Sequence, residues 1–499
     1  MPDDNMSLML RRKRLFSGIC VVMFLTLFSI KLFAEDSLTY IEEFGKRLFF
    51  EESLSFNGDM SCATCHTSDT GGTNGNSLQN AEQVAVTGSN GGNGKLKPPT
   101  NKYVQFMGED RRLKGVANFD PLCATFRGPQ PCGGAFWNGR AKGDMIEMED
   151  NIALFDGLAP HYEFLYRKYV GPLSDQAHAS PFINSVEQAL PNKKAVCRAV
   201  KDQPWGNHLY KFTFGVRLRC GSQYIDQTFA YFALALAAWQ ASDANNPFDS
   251  KRDIALRDEA AFEEDVNFPL AGLTDEENLG HDIFYNVEGA TPGNCVFCHR
   301  SGNVFGTTAD ERYTDDQYHN IGVPNNPEIP GNLGADPGVS ATTFDPRHLG
   351  QHKTPTLRNV DKRPEQSFVK AYTHNGWFKS LDDLVHFYNS AVAPNSLDQC
   401  GTNPVFDTAC SFGITRCDNT QDWTIEEAKA ANCWPEAEFT DTVTPPFVLG
   451  NLRLTKDEEK ALVAYLKTLS DTSEASDPEP YVKKGFQSGR VQGIHLIKQ

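Results

Sequence analysis

Two five-residue segments, Cys62-Ala63-Thr64-Cys65-His66 and Cys295-Val296-Phe297-Cys298-His299, constrain this chain more than any other feature. In a Cys-x-x-Cys-His run the two thiols have the spacing to bond to the two vinyl groups of a porphyrin, while the adjacent histidine reaches its iron. Zinc half-sites are the competing reading. A zinc ribbon, however, pairs its Cys-x-x-Cys elements at closer spacing and needs no histidine directly after each. The expectation is two covalently attached c-type haems, with Cys62, Cys65, Cys295 and Cys298 as attachment points and His66 and His299 as iron ligands.

The surroundings of the two segments repeat. Phe44-Gly45-Lys46-Arg47-Leu48-Phe49-Phe50 precedes the first much as Leu279-Gly280-His281-Asp282-Ile283-Phe284-Tyr285 precedes the second, and Thr274-x-x-Glu277 is a capping box that opens the second copy. Each unit therefore reads as a helix leading into a haem loop. Residues 71–100, dense in Gly and Asn, predict a long loop over a haem edge. The apolar, Ala-rich run 225–241 is too short to span a bilayer and predicts a buried helix closing the first half. Asn246-Pro247-Phe248-Asp249 marks the junction. Residues 395–446, with four cysteines, look like a disulfide-pinned insertion. Thr455-x-x-Glu458 caps a last helix with Leu462, Tyr465, Leu466 and Leu469 on one stripe. The fold class expected is mostly α, with two cytochrome c-like haem domains (35–250 and 251–475), long loops, little β and a tail from 476 to 499.

Export agrees with this reading. Arg11-Arg12-Lys13-Arg14, the apolar run to Phe33 and Ala34-Glu35 form a secretory signal over residues 1–34, with an uncleaved membrane anchor as the alternative. Setting aside Cys20 and the four motif cysteines leaves Cys123, Cys132, Cys197, Cys220, Cys400, Cys410, Cys417 and Cys433. An even set in the periplasm predicts disulfides, most simply Cys123 to Cys132 and Cys197 to Cys220, with the last four pairing among themselves. The formal charge is −17, and the leader's five basic and two acidic residues put the mature chain near −20. Such a surface disfavours nucleic acid and mildly favours a basic protein partner.

Each iron has one histidine from its own segment, so function turns on the opposite face: a six-coordinate iron passes electrons, an open one binds peroxide. None of the eight methionines lies beyond residue 148, so methionine cannot cap the second haem from its own half. Ser380-x-x-Asp383 opens a helix in which Leu381, Leu384, Val385 and Tyr388 share a face and His386 lies roughly opposite, which makes Tyr388 the candidate sixth ligand, unless it is merely a packed aromatic. No histidine occurs between His66 and His161, so the first iron is expected to stand open unless Met107, Met145 or Met148 closes it.

Several segments resemble the bacterial di-haem cytochrome c peroxidase family, including its MauG-like branch. They are Gly45-Lys46-Arg47-Leu48-Phe49-Phe50, Phe136-Trp137-Asn138-Gly139-Arg140-Ala141, Asn246-Pro247-Phe248-Asp249, Lys353-Thr354-Pro355-Thr356-Leu357-Arg358-Asn359, and Tyr372-Thr373-His374-Asn375-Gly376. The resemblance implies a peroxidatic N-terminal haem and an electron-relaying C-terminal one, with Trp137 at the family's tryptophan between them. It also implies a second-haem axial residue fourteen positions after the histidine of the Tyr-x-His-x-Gly element. That residue is methionine in the peroxidases, whereas counting from His374 reaches Tyr388, the MauG-like choice. A phenolate stabilises higher oxidation states than a thioether does. Two departures stand out. The family's interdomain calcium site draws on an Asn before a Ser/Thr-Pro-Thr element, where this chain has Lys97-Pro98-Pro99-Thr100. The Gln and Glu expected after the tryptophan are also out of register, leaving Glu163 as candidate distal acid with Asp150 behind it.

The function expected is a periplasmic di-haem peroxidase that reduces hydrogen peroxide with electrons from a small c-type cytochrome or cupredoxin. Oxidation of a partner protein's aromatic side chains, in the MauG manner, is the alternative within enzymes. A non-enzymatic di-haem electron carrier is the alternative outside them.

Overall fold

The computed structural model describes residues 38–82, 87–104, 119–125, 128–143, 158, 160–178, 181–260, 268–300, 306–309, 311–331, 335–391, 408–444 and 449–481. The leader, Met107, Met145, Met148, Asp150, Cys400 and residues 395–407 lie outside them. The described residues from Tyr40 onward belong to one compact unit. The fold is mostly helical, with only three two-stranded pieces of sheet among the described residues.

The sequence repeat is a structural repeat. In the first half, helix α1 (Tyr40–Phe50) packs against α2 (Ile225–Ala241), which begins and ends where its apolar run does and buries nearly all of its length. In the second, α3 (Asp275–Tyr285) packs in the same way against the last helix, while α4 (Leu381–Ser390) and α5 (Lys456–Lys467) lean on one another. Both crossings depend on a glycine. A Cβ on Gly45 would lie 1.8 Å from the Ala235 carbonyl oxygen and 3.0 Å from the Trp239 Cβ. One on Gly280 would lie 2.0 Å from the Ala461 oxygen and 2.7 Å from the Tyr465 Cβ. Trp239 and Tyr465 thus occupy equivalent positions. α3 and α5 both open with complete capping boxes, Thr274/Glu277 and Thr455/Glu458, which satisfy first-turn N–H groups.

Residues 71–100 are loop for most of their length but include a short helix, Ser77–Glu82, opened by Asn76, whose carboxamide accepts from the Gln79 N–H. That is a local turn chemistry the Gly/Asn density concealed. Three disulfides are explicit: Cys123–Cys132 across an antiparallel hairpin, Cys197–Cys220, and Cys417–Cys433; Cys410 is disulfide-bonded as well. Beyond residue 408, the Cys-rich insertion forms the strand pair Thr415–Arg416/Cys433–Trp434 and the helix Ile425–Ala431. Its Trp434 packs on α4, with ring centroids 5.2 Å from Phe387 and 5.8 Å from His386, and donates to Ser390 Oγ at 3.1 Å. The junction is pinned: Asn246 accepts the Tyr103 N–H at 2.5 Å, and Asp249 accepts from Thr472 and Ser473. Among the described residues, no helix is long and apolar enough to cross a membrane.

Candidate functional site

The first segment is a single helical turn, Cys62–Cys65, capped by Ser61 and ended by His66, whose N–H bonds the Cys62 carbonyl at 3.0 Å. His66 Nδ1 lies 3.0 Å from the Gly72 carbonyl. A carbonyl only accepts, so Nδ1 carries the proton and Nε2 keeps the lone pair a metal needs. The second segment repeats this: the His299 N–H bonds the Cys295 carbonyl, and His299 Nδ1 lies 2.9 Å from the Tyr313 carbonyl. Burial lowers the pKa of both imidazoles and so favours their neutral, ligating form. Cys62, Cys65, Cys295 and Cys298 are the four unpaired cysteines among the described residues. Burial pushes the Cys62, Cys65 and Cys295 thiols up to about 12.

A cavity opens at the second segment. Cys295, Cys298, His299 and Tyr388 line it together, and Trp137 forms part of its wall. α4 brings Tyr388 there because Leu381 and Val385 are buried in the core beneath it. His386 turns elsewhere and pairs with Glu459 at 2.8 Å. Burial, reinforced by the neighbouring Cys298 and Cys295, raises the pKa of the Tyr388 phenol. Binding to a ferric ion would reverse that, since metal ligands give up their protons.

Trp137 is buried and clamped by equivalent segments of the two halves. Its indole N–H donates to the Lys97 carbonyl at 2.8 Å, and its own carbonyl accepts the Lys353 N–H at 2.9 Å. The segments Lys97-Pro98-Pro99-Thr100 and Lys353-Thr354-Pro355-Thr356 are thus a second pair of repeats. Pro99 lies against His66 and Pro355 against His299, each through its backbone carbonyl. On its far side the indole meets His374, ring centroids 6.5 Å apart, and His374 is stacked on His352 at 3.5 Å.

Glu163 lies on the helix Pro160–Tyr166, its side chain 43% exposed and ion-paired with Arg167 at 2.6 Å. A partly buried carboxyl beside the first segment is Glu187, close enough to raise the pKa of both Cys62 and Cys65. Burial raises its own pKa against the opposing pull of Arg140 and a 3.2 Å bond from Asn184. Its neighbour Gln188 points its carboxamide oxygen at Cys62 Sγ, 3.9 Å away. The sequence reading passed over Glu187; the signal was a lone carboxylate three residues after Asn184, in a turn bracketed by Phe182 and Leu190. Asp150 lies outside the described residues.

These donors fit two haems. The imidazoles are oriented, the four thiols are unpaired, and Lys97 is a buried cation whose only hydrogen-bond partner among the described residues is the Pro98 carbonyl at 3.3 Å. Burial lowers its pKa to about 8. A buried charge without a counter-charge is costly, and haem propionates would supply one. Cys298, Asp315 and His319 also gather within 4.8 Å, as for a metal ion. A thioether at Cys298 takes that thiolate out of the set. Among the described residues no comparable group of ligands gathers for calcium, and the element that departs from the family pattern holds the Lys97 ammonium.

The family model for di-haem cytochrome c peroxidases matches residues 40–261. The methylamine utilization protein MauG of Paracoccus denitrificans is 27% identical over 450 residues, which cover 88% of this chain and 89% of that protein. MauG of Methylophilus methylotrophus is 26% identical over 361 residues, 71% of this chain and 74% of that one. Among solved structures, the diheme peroxidase BthA from Burkholderia thailandensis shares the fold, with a TM-score of 0.57 at 24% identity over 87% of each chain.

Proposed function

Because the chain belongs to the di-haem cytochrome c peroxidase family, a family of haem oxidoreductases, we propose that it is a periplasmic enzyme that reduces hydrogen peroxide at an open N-terminal haem and relays electrons through a His299/Tyr388-ligated C-terminal one. The observation that carries this reading is the asymmetry of the two halves. Tyr388 lines one cavity with His299, while a partly buried carboxyl, Glu187, stands beside Cys62 and Cys65.

In this reading Cys62 and Cys65 anchor one haem and Cys295 and Cys298 the other, through thioethers, with His66 and His299 as proximal ligands. When bound, the haem iron supplies the two-electron chemistry that cleaves an O–O bond. Glu187, whose pKa burial raises, moves a proton from the inner to the outer oxygen of peroxide, so that water is the leaving group. Glu163, held by Arg167 at the surface, is the lesser candidate for that role. Trp137, hydrogen-bonded to both halves, links them electronically. The N-terminal domain then spans 35–250 and the C-terminal domain 251–475. A small cytochrome or cupredoxin returns the electrons.

Rapid mixing of the ferric protein with peroxide tests this. Glu187→Gln is expected to slow the reaction by on the order of a hundredfold, with Glu163→Gln near wild type. An unaffected Glu187→Gln overturns the assignment. The second reading, oxidation of a partner protein's aromatic side chains, is favoured by the oxygen donor at Tyr388 and by the likeness to MauG across most of the chain. Steady-state turnover with reduced cytochrome c, set against turnover with a partner protein, separates the two.

A further inference from the structure

Near His299, three tyrosines are buried in the core of the second half. The Tyr313 carbonyl holds His299 Nδ1 at 2.9 Å. The Tyr313 hydroxyl is 3.5 Å from the Tyr465 hydroxyl, and the Tyr465 ring is 6.4 Å from that of Tyr285. The Tyr285 hydroxyl donates to the carboxylate of Glu311. Tyr313, Tyr465 and Glu311 are fully buried and Tyr285 is 5% exposed. Arg252, equally buried, places its guanidinium 3.7 Å from Glu311, which favours the ionised carboxylate.

Packing alone does not call for these hydroxyls. At the equivalent positions the first half carries Phe50 in place of Tyr285 and Trp239 in place of Tyr465, with the two rings 6.2 Å apart. A buried phenol must be hydrogen-bonded, and a buried carboxylate must be paired; the second half bears these costs at two positions where its twin places Phe50 and Trp239. What the arrangement adds is redox chemistry. Oxidised phenol is a strong acid, so a tyrosine gives up an electron readily only when a base takes its proton at the same time. Burial raises the pKa of all three phenols, so each starts out protonated.

We propose that Tyr285 and Glu311 form a redox-active tyrosine–carboxylate site, reached from His299 through Tyr313 and Tyr465, that holds an oxidising equivalent outside the haem. The inference rests on the peroxidase reading, which provides the oxidant: a one-electron oxidising equivalent left in the second half after peroxide is reduced. Tyr285 gives one electron toward His299, its O–H bond breaks, and the proton passes to Glu311. The products are a neutral phenoxyl radical and a carboxylic acid. The next electron from the donor reverses the step and returns the proton. Tyr285 is also the member nearest solvent, since its ring lines a surface pocket with Val287 and Phe297.

The test is freeze-quench EPR of the full di-haem protein after one equivalent of peroxide, with ring-deuterated tyrosine to identify a tyrosyl signal by its narrowed hyperfine pattern. Wild type is expected to show that signal. Tyr285→Phe, and Glu311→Gln with the phenol intact but its base gone, are each expected to lower it by on the order of tenfold. In both variants an unchanged ferric spectrum before peroxide reports an intact second haem. A signal of wild-type size in both, or none in wild type although the ferric signals respond to peroxide, overturns the relay and leaves the peroxidase reading standing. Ferric signals that ignore peroxide overturn that reading, and the relay with it.

Discussion

The two halves share one frame and differ in what fills it. Each has an opening helix with a glycine at the crossing, a Cys-x-x-Cys-His turn, a histidine oriented by a downstream carbonyl, and a Lys-x-Pro-Thr segment gripping Trp137. The first half closes around a cluster of aromatic rings: Phe44 meets Trp205, Tyr210, Phe214 and Phe232 with centroids 5.6 to 6.0 Å apart. The second half closes with ions and phenols. Arg358 grips Asp253 through two bonds of 2.5 and 2.7 Å, and Arg252, Glu311 and three tyrosines lie alongside. Duplication explains the frame, and the fillings have diverged.

Breaking the ionic core should have the largest effect. Asp253→Asn leaves the buried Arg358 charge with only Asp471, 4.0 Å away, opposite it, at an expected cost of ~3 kcal/mol. Thermal unfolding followed at each haem's absorption should show the second half failing first. Burial alone would raise the Asp253 carboxyl, but Arg358 outweighs it and holds the pKa well below the usual carboxylate range. The folded pKa thus lies below the unfolded value of ~3.9, so this stabilisation is present above that pH and is lost as pH falls below it. Acid unfolding should therefore begin in the second half, and Asp253→Asn should flatten that pH dependence.

Next come the crossings. Gly45→Ala and Gly280→Ala drive a methyl into a helix backbone, and each should cost ~1–3 kcal/mol in denaturant unfolding. If only one does, the frame is less symmetric than described. Cutting Cys417–Cys433, which closes a loop of 16 residues, should cost ~3 kcal/mol at most and loosen α4 through Trp434. The readout is a broadened second-haem EPR signal with the first unchanged. Removing a capping hydroxyl, Thr274→Ala or Thr455→Ala, should cost only ~1 kcal/mol each.

What the amino-acid order revealed follows from how far each signal acts. Capping boxes, the apolar run 225–241 and the short-range cysteine pairs Cys123–Cys132 and Cys197–Cys220 are local, and each was readable because the residues that decide it are neighbours. That Tyr388 faces the cavity lined by His299 was within reach, because the helical stripe turns that residue to the buried side. Glu187 was not. It comes to Cys62 through a turn more than 120 residues away, past a stretch whose register no spacing rule fixes. The Trp137 clamp and the tyrosine–carboxylate cluster were hidden for the same reason, since each is built from segments that meet only in the folded chain.

The measurement that tests the central asymmetry most directly is EPR of the ferric protein beside its Tyr388→Phe variant. The account predicts one high-spin and one low-spin haem in the wild type, with the low-spin signal shifted or converted to high-spin in the variant and the other untouched. Two low-spin haems in the wild type, or a low-spin signal indifferent to the loss of the phenol, would contradict it.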